Sequence, residues 1–154
     1  MFKDFISKIN PEYNIPSRET LASTILEDVI KKIKLTVEKE LSEVSGICCT
    51  LDAWKSSFKP NKFLSFTIHY IYDDKLKSRV LKLHEMTTES TSENISNFIK
   101  DVIEEYKLQR FGSFTMITDN AKDVTGAVLQ SGLEHVSCCG HLLHLTFTDV
   151  IEKK

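Results

Sequence analysis

Apolar residues recur at steps of four and three through the first third of the chain, and this pattern predicts one long amphipathic helix. We expect the helix to begin after Ser17, whose hydroxyl suits an N-cap, and to end at Gly46. Most of its other positions hold Glu, Asp or Lys, which suits a solvated face. The apolar stripe consists of Leu21, Ile25, Val29, Ile33, Val37, Leu41 and Val44.

The next part of the chain predicts three strands in an antiparallel meander. Ile47–Trp54 is apolar on both faces, which is typical of a central strand in a covered sheet. Residues 63–72 alternate with period two, so one face of that strand is expected to be better buried. The third strand covers residues 78–87, and turns are expected at Pro60-Asn61 and at residues 73–75.

Helix and strand alternate in the remaining sequence, which predicts parallel crossovers. Ser90 and Glu93 fit a capping box ahead of a helix that runs to Tyr106. The later elements are a strand at 111–118, a helix at 121–131, a short strand at 136–139 and a final helix from Gly140. The order β-β-β-α-β-α-β-α behind an N-terminal helix predicts an α/β, ribonuclease-H-like mixed sheet. Its first and fourth strands are parallel neighbours.

Composition supports an ordinary globular domain and limits the classes of function. The chain has 154 residues, of which 41% are apolar and 27% charged. No apolar run approaches the roughly 18 residues of a membrane span, and no secretory leader is recognisable. The formal net charge of −2 argues against a broad basic surface for nucleic acid. The four cysteines form two adjacent pairs and are expected to be reduced, small, buried side chains.

Two aspartates are the candidate chemical groups. Asp52 lies in the middle of the first apolar strand, so it must be at an open strand end, hydrogen-bonded or near a cation. Asp119 follows the fourth strand and would lie beside Asp52. Two adjacent carboxylates repel each other, which favours a divalent cation such as Mg²⁺ or Mn²⁺ between them. The alternative is that Asp52 is a satisfied strand-end residue and that Asp119 caps the next helix.

The remaining candidate residues have two interpretations each. Cys138 and His141, with His144, could contribute zinc ligands, but no convincing fourth ligand is spaced to complete a site. Alternatively, Cys138 is buried and His141 forms hydrogen bonds that shape the strand end. Trp54 could stack on a nucleic-acid base or could fill the core.

Four sequence blocks carry a resemblance to a known family. They are Pro16-Ser17-Arg18 with the long helix after it, Leu51-Asp52-Ala53-Trp54-Lys55-Ser56, Thr118-Asp119-Asn120-Ala121 and Cys138-Cys139-Gly140-His141-Leu142-Leu143-His144-Leu145. In order and spacing they resemble hAT-superfamily transposases, in particular the zinc finger BED-type, transposase-derived proteins. The resemblance implies that Asp52 and Asp119 are the first two catalytic aspartates of a DDE motif and ligands for Mg²⁺ in DNA cleavage and joining. It also matches Cys138 and His141 to a Cys-x-x-His element.

The chain departs from the family pattern at three matched positions. Ala53 stands in place of the usual glycine, Lys55 in place of threonine, and His144 in place of asparagine. Lys55 brings a cation near the site, where it could hold a phosphate or compete with a metal ion. Lys55 and Trp54 are therefore the candidate contacts for DNA.

The resemblance also implies parts that this sequence does not contain. The family's third acid, a glutamate, would follow a long helical insertion beyond Lys154, and the BED zinc finger and the dimerising segment are likewise not recognised. We therefore expect residues 1–45 to form a lead-in and helix, and residues 46–154 a truncated transposase core that does not cleave DNA alone. The family implies DNA as a partner and a nuclear location.

Two alternative functions follow from the same sequence. One is a non-enzymatic module that binds a protein, a chromatin complex or a second copy of the chain. The other is a self-contained nuclease in which Asp149 or Glu152 substitutes for the third acid.

Overall fold

The computed structural model describes residues 2–55, 61–87 and 89–151. The chain divides into two compact units, Met1–Leu41 and Ser42–Lys154. No helix in these described ranges is long and apolar enough to cross a membrane.

The first unit is helical. Helix α1 spans Phe2–Ile9, and a continuous helical segment of 26 residues follows, formed by α2 (Arg18–Thr20), a π-helical turn (Leu21–Ile25) and α3 (Leu26–Glu43). Ser17 is the N-cap as predicted, since its Oγ accepts a hydrogen bond of 3.0 Å from the backbone N of Thr20. The segment ends at Glu43 rather than at Gly46.

The predicted apolar stripe of this segment is buried only near its C-terminal end. Val37 and Leu41 are buried, whereas Leu21, Ile25, Val29 and Ile33 are between 42% and 54% exposed. Periodicity identifies the apolar side of a helix, but it does not show how far along the helix that side is covered.

The second unit is built on a five-stranded mixed sheet with the strand order β3-β2-β1-β4-β5. The strands are β1 (Cys48–Lys55), β2 (Lys62–Tyr72), β3 (Lys75–Met86), β4 (Thr115–Thr118) and β5 (Glu134–Ser137). Strand β1 is antiparallel to β2 and parallel to β4, and β4 is parallel to β5. The predicted ribonuclease-H-like fold, with its first and fourth strands as parallel neighbours, is confirmed.

Tight turns and helices connect these strands. Asp73 and Asp74 join β2 to β3 with φ angles of 52° and 54°. Both residues are in the left-handed region, which is typical of a two-residue hairpin turn. Residues 56–60, including the predicted turn at Pro60, lie outside the described residues. The helical elements are α4 (Ser92–Glu105), a 3₁₀ turn (Leu108–Phe111), α5 (Lys122–Gln130) and α6 (Cys139–Ile151).

Several predicted boundaries in this part are wrong. The N-cap of α4 is Thr91, whose side chain accepts a hydrogen bond from the backbone N of Asn94, and not Ser90. Phe111 belongs to the 3₁₀ turn, so β4 begins only at Thr115. Strand β3 begins at Lys75 rather than at residue 78, and β5 spans Glu134–Ser137 rather than residues 136–139.

The core lies between one face of the sheet and the helices α4 and α5. On β2 the expected difference between the faces is confirmed, since Leu64, Phe66, Ile68 and Tyr70 on one face are buried. The buried helical residues include Ile95, Ile99, Val102, Val124 and Val128. The two helices approach closely at Gly126, where an added Cβ would lie only 2.9 Å from the Oγ of Ser92.

The opposite face of the sheet is more open than predicted. On β1, Cys49 and Leu51 are buried, but Thr50 is half-buried and Asp52 is exposed. The prediction that this strand is covered on both faces is therefore wrong. Only the face that carries Cys49 and Leu51 is buried, because the small side chains of Cys48 and Thr50 on the other face do not require full burial.

Candidate functional site

Asp52 and Asp119 lie at the same level along the neighbouring strands β1 and β4, Asp52 within β1 and Asp119 directly after β4. In the parallel pairing of β1 with β4, the last register pair is Leu51 with Thr118, and each aspartate is the next residue of its strand. Asp52 is exposed and Asp119 is half-buried. Asp52 therefore lies where the pairing of β1 with β4 stops, but it is still inside β1 and pairs with Ser65 of β2, so it is not at the open strand end considered for it from the sequence. We refer to these two residues as the acid pair.

Asp119 also shapes the turn into α5. Its Oδ1 accepts a hydrogen bond of 3.3 Å from the backbone N of Ala121. Ala121 is the N-cap residue, and its side chain makes no capping hydrogen bond. The expectation that Asp119 is itself the cap is thus wrong, since the aspartate forms a local turn two residues earlier.

The start of α6 is attached to the same strand end. The backbone N of Cys138 donates a hydrogen bond of 2.8 Å to the carbonyl oxygen of Thr118. The Oγ of Ser137 donates to Oδ1 of Asn120 over 2.7 Å. These bonds hold the β5–α6 junction against the loop that carries Asp119, so Cys138 contributes to this site through its backbone.

The Cys-x-x-His element is only partly enclosed. Cys138 and His141 are both half-buried, so the expectation of a buried Cys138 is not met. His144 is exposed on α6.

The four cysteines are free, and only one of them is buried. Cys49 is enclosed in the core, where burial and then the neighbouring Cys48 raise the pKa of its thiol well above the ordinary value. Cys48 is half-buried and Cys139 is exposed, so the prediction of four buried cysteines is wrong for three of them.

The described residues contain no group of three or more His, Cys, Asp or Glu side chains placed to hold a metal ion. The acid pair accordingly offers two carboxylates. Asp149 lies on α6 and is exposed, and Glu152 is outside the described residues.

Trp54 and Lys55 follow Asp52 on the same strand. The Trp54 ring stacks on Phe63 of β2, with 5.9 Å between ring centroids and an interplanar angle of 21°. Trp54 is 43% exposed, so the expectation that it fills the core is wrong. Lys55 is exposed and pairs in register with Lys62. An open aromatic face and a cation therefore lie beyond the acid pair along β1.

A second polar group at this end of the sheet was missed by sequence reasoning. The Nζ of Lys62 lies 2.7 Å from Oδ2 of Asp123 and donates to the Oγ of Ser90 over 2.9 Å. The Ser90 hydroxyl donates to the same Asp123 oxygen over 3.0 Å. We call Lys62, Ser90 and Asp123 the Lys62 cluster. Its members come from β2, the β3–α4 loop and the first turn of α5, so no local sequence pattern indicates it.

The Lys62 cluster holds Asp123 in its charged form. Burial by itself raises the pKa of this carboxyl group, but hydrogen bonds from Lys62 and Ser90, with the Lys62 charge, lower it overall. The cluster thus neutralises one carboxylate near the loop that carries Asp119.

Family comparison supports the fold and the extent of the domain. The family model described as the ZBED1 RNase-like domain matches residues 50–141, a range that includes Asp52, Asp119, Cys138 and His141. Comparison of the sequence with curated proteins gives no match. The family model covers more than half of the chain, and the chain therefore belongs to the family of the ZBED1 RNase-like domain.

Proposed function

We propose that this domain derives from an hAT-type DNA transposase and that its acid pair binds a divalent cation, Mg²⁺ or Mn²⁺. We further propose that the chain alone holds the cation without cleaving DNA. The single observation that carries the proposal is the register of β1 and β4, which makes Asp52 and Asp119 equivalent positions on adjacent parallel strands.

The chemistry of the acid pair suits a hard cation. Carboxylate oxygens are the ligands that Mg²⁺ and Mn²⁺ prefer, and neighbouring parallel strands lie about 4.8 Å apart. Two carboxylates on adjacent strands repel each other unless a proton or a cation compensates them. Asp52 is exposed, so an ion can reach the pair directly from solvent.

The number of ligands supports weak binding. Two carboxylates leave most positions of an octahedral ion to water, and the described residues place no third acid with them. A bound divalent ion supplies Lewis-acid stabilisation to a phosphate oxygen. Asp52 and Asp119 would hold the ion. The hydrogen bond from the backbone N of Ala121 would orient the Asp119 carboxylate.

Trp54 and Lys55 are the proposed contacts for nucleic acid. An exposed indole can stack on an unpaired base, and a lysine can contact a phosphate as a point charge. Trp54 lies two residues after Asp52 and so on the same face of β1, which would bring a base stacked on its ring near the acid pair, whereas Lys55 lies on the other face of the strand. This arrangement favours a DNA strand with accessible bases over an intact duplex.

Titration with Mn²⁺ tests the cation site. We expect millimolar Mn²⁺ to raise the melting temperature of the wild-type protein, because the ion binds only the folded arrangement of the two acids. Asp52→Asn and Asp119→Ala should each abolish the shift. Glu104→Gln, which removes an exposed acid of α4, is the matched control and should leave the shift unchanged. A wild-type protein that shows no shift, or a shift that persists in both variants, would contradict the site.

A nuclease assay tests the absence of cleavage separately. The purified chain should leave single-stranded and duplex DNA intact in Mg²⁺ or Mn²⁺. Metal-dependent cleavage that disappears in Asp52→Asn would overturn this part of the proposal. If it instead disappears in Asp149→Asn or Glu152→Gln, a substitute third acid is in use.

A non-enzymatic interaction module is the second candidate function. The observation that favours it is the row of exposed apolar side chains on β3, at Leu76, Val80 and Leu83. Apolar side chains grouped in this way on a surface are typical of protein interaction sites. In that case the acid pair would be a relic, and Mn²⁺ would leave the melting temperature unchanged.

A further inference from the structure

Strand β3 forms one edge of the sheet. It is 12 residues long, spanning Lys75–Met86, and its only strand neighbour among the described residues is β2. An edge strand presents backbone N–H and C=O groups along its outer side. Another extended chain can pair with such a side and lengthen the sheet by one strand.

The side chains of β3 separate by chemistry onto its two faces. Leu76, Val80 and Leu83 pair in register with Ile71, Thr67 and Ser65 of β2, which lie on the open face of the sheet. A register shift between Phe66 and Thr67 keeps Val80 and Leu83 on that same face. These three side chains are between 62% and 73% exposed. The open face of β3 therefore carries three exposed apolar side chains, with Ser78 and Glu85 as its polar positions.

The other face of β3 is basic. Lys77, Arg79 and Lys82 pair with Tyr70, Ile68 and Phe66, which lie on the core side. The strand contains four basic residues and one acid, Glu85, although the whole chain carries a net charge of −2. Lys82 forms an ion pair of 2.9 Å with Glu105 of α4, and both side chains remain about one-third exposed. Positive charge is thus concentrated along this one strand.

A groove accompanies the basic face. It has a volume of about 240 Å³ and lies between β3 and α4, with Lys82, His84, Asn94, Asn97 and Asp101 among its lining residues. The ring of His84 stacks on Phe98 at 5.4 Å, which fixes the wall of the groove. Polar side chains of a bound segment could enter here and hydrogen-bond to Asn97.

We propose that the edge of β3 binds an extended peptide segment of a partner protein in which acidic and apolar residues alternate. Its backbone pairs with β3, its apolar side chains cover Leu76, Val80 and Leu83, and its acids face the basic side. Cross-strand neighbours on one face interact directly, so the alternation on β3 dictates the alternation in the peptide.

The charge pattern distinguishes this partner from the other candidates. A second copy would place two basic strands side by side, and like charges on adjacent strands are destabilising. Duplex DNA would contact the cations but would leave the three aliphatic side chains exposed. Only a segment with both acids and apolar residues complements both faces.

Peptide binding to the full chain tests the proposal. The probe is a fluorescent peptide of about eight residues in which glutamate and valine alternate, a length close to that of a natural strand. Two controls are a block peptide with the same composition, and the alternating peptide with N-methyl groups at every second amide. Binding is measured by fluorescence anisotropy, and hydrogen exchange of the β3 amides locates the complex.

The alternating peptide should bind and slow amide exchange in β3, and the block and N-methylated peptides should each bind about 10-fold more weakly or worse. Val80→Asp should weaken binding by about 10-fold and Lys77→Glu by about 3-fold or more, the latter less strongly at high salt. Leu129→Asp is the matched control, since Leu129 is an equally exposed apolar residue on α5. It should leave binding unchanged.

Several results would overturn the proposal. Absence of binding, equal binding of the N-methylated peptide, or an equal effect of Leu129→Asp would exclude strand addition at β3. Sedimentation that shows a dimer lost in Val80→Asp would assign the edge to a second copy. Duplex DNA binding lost in Lys77→Glu, without peptide binding, would assign it to nucleic acid. None of these outcomes depends on the acid pair.

Discussion

The acid pair and the Lys62 cluster hold carboxylates at the same end of the sheet, but under opposite electrostatic conditions. Asp52 is exposed and follows Leu51, whose register partner Thr118 is followed by the second acid, Asp119. Asp123, four residues after Asp119, is held by the Lys62 ammonium and the Ser90 hydroxyl. The protein neutralises one acid of this region with its own side chains, and the proposed cation would compensate the other two.

The difference assigns different roles to similar residues. An acid that is paired inside the protein contributes to stability, whereas adjacent acids facing solvent oppose it and are available to a ligand. Substitutions in the two groups should therefore change stability in opposite directions.

The largest expected effect comes from Lys62→Met. Removal of the ammonium leaves the half-buried Asp123 carboxylate without its cation, so the free energy of unfolding should fall by about 1–3 kcal/mol. Lys82→Met is the matched control, because it breaks an exposed ion pair with Glu105 and should cost less than about 1 kcal/mol. Urea denaturation of the three proteins measures both changes. Equal losses for the two variants would remove the distinction between the Lys62 cluster and a surface pair.

Acid should weaken the Lys62 cluster selectively. The pKa of Asp123 is lowered in the folded protein, below the unfolded value of about 3.9, so the folded state binds fewer protons in this range. Its contribution to stability is complete above the unfolded pKa and is lost as the pH falls from about 5 through the folded pKa. The stability difference between wild type and Asp123→Asn should therefore shrink toward zero between pH 6 and pH 3. A difference that stays constant over this range would contradict the pairing.

Ser90→Ala should have an intermediate effect. It removes one hydrogen bond to the Asp123 carboxylate, and we expect a loss of about 0.5–1.5 kcal/mol that diminishes at low pH. Thr91→Ala is the matched variant, since it removes the N-cap of α4, and its similar cost should not vary with pH in this range. Denaturation at pH 6 and pH 3 separates the two. A pH-independent loss in Ser90→Ala would mean that Ser90 serves the helix instead.

The smallest change is expected for Asp52→Asn. In a buffer with a chelator, this variant should be as stable as wild type or more stable by up to about 0.5 kcal/mol, because it removes repulsion with Asp119. The same variant loses the response to Mn²⁺. A marked loss of stability without metal would show that Asp52 is a structural residue and would bring it into the same class as Asp123.

Sequence periodicity predicted the sheet well because strand pairing depends on patterns along the chain. The alternation at Leu64, Phe66, Ile68 and Tyr70 identified the buried face of β2, and the order of elements predicted that β1 and β4 are parallel neighbours. The adjacency of Asp52 and Asp119 follows from that order alone.

The incorrect predictions have physical causes that the sequence pattern does not reveal. The Lys62 cluster joins residues far apart in the sequence, and Ser90 resembles a helix cap because serine is chemically suited to both roles. Trp54 was expected in the core because it follows an apolar strand, but it lies beyond the last β1–β4 pair and remains exposed. Likewise, the apolar stripe on α3 identifies the apolar side of the helix, but it does not show which residues of that side are buried.

The topology of the sheet also bears on how the domain folds. The β2–β3 hairpin closes through the Asp73-Asp74 turn, so its pairs form between residues close in sequence. The pairing of β1 with β4 requires closure of a loop that contains β2, β3 and α4, and long closures carry a greater entropic cost. We expect the hairpin to form early and the β1–β4 contact late, so that partly folded molecules during synthesis present the basic edge of β3 before Asp52 and Asp119 meet.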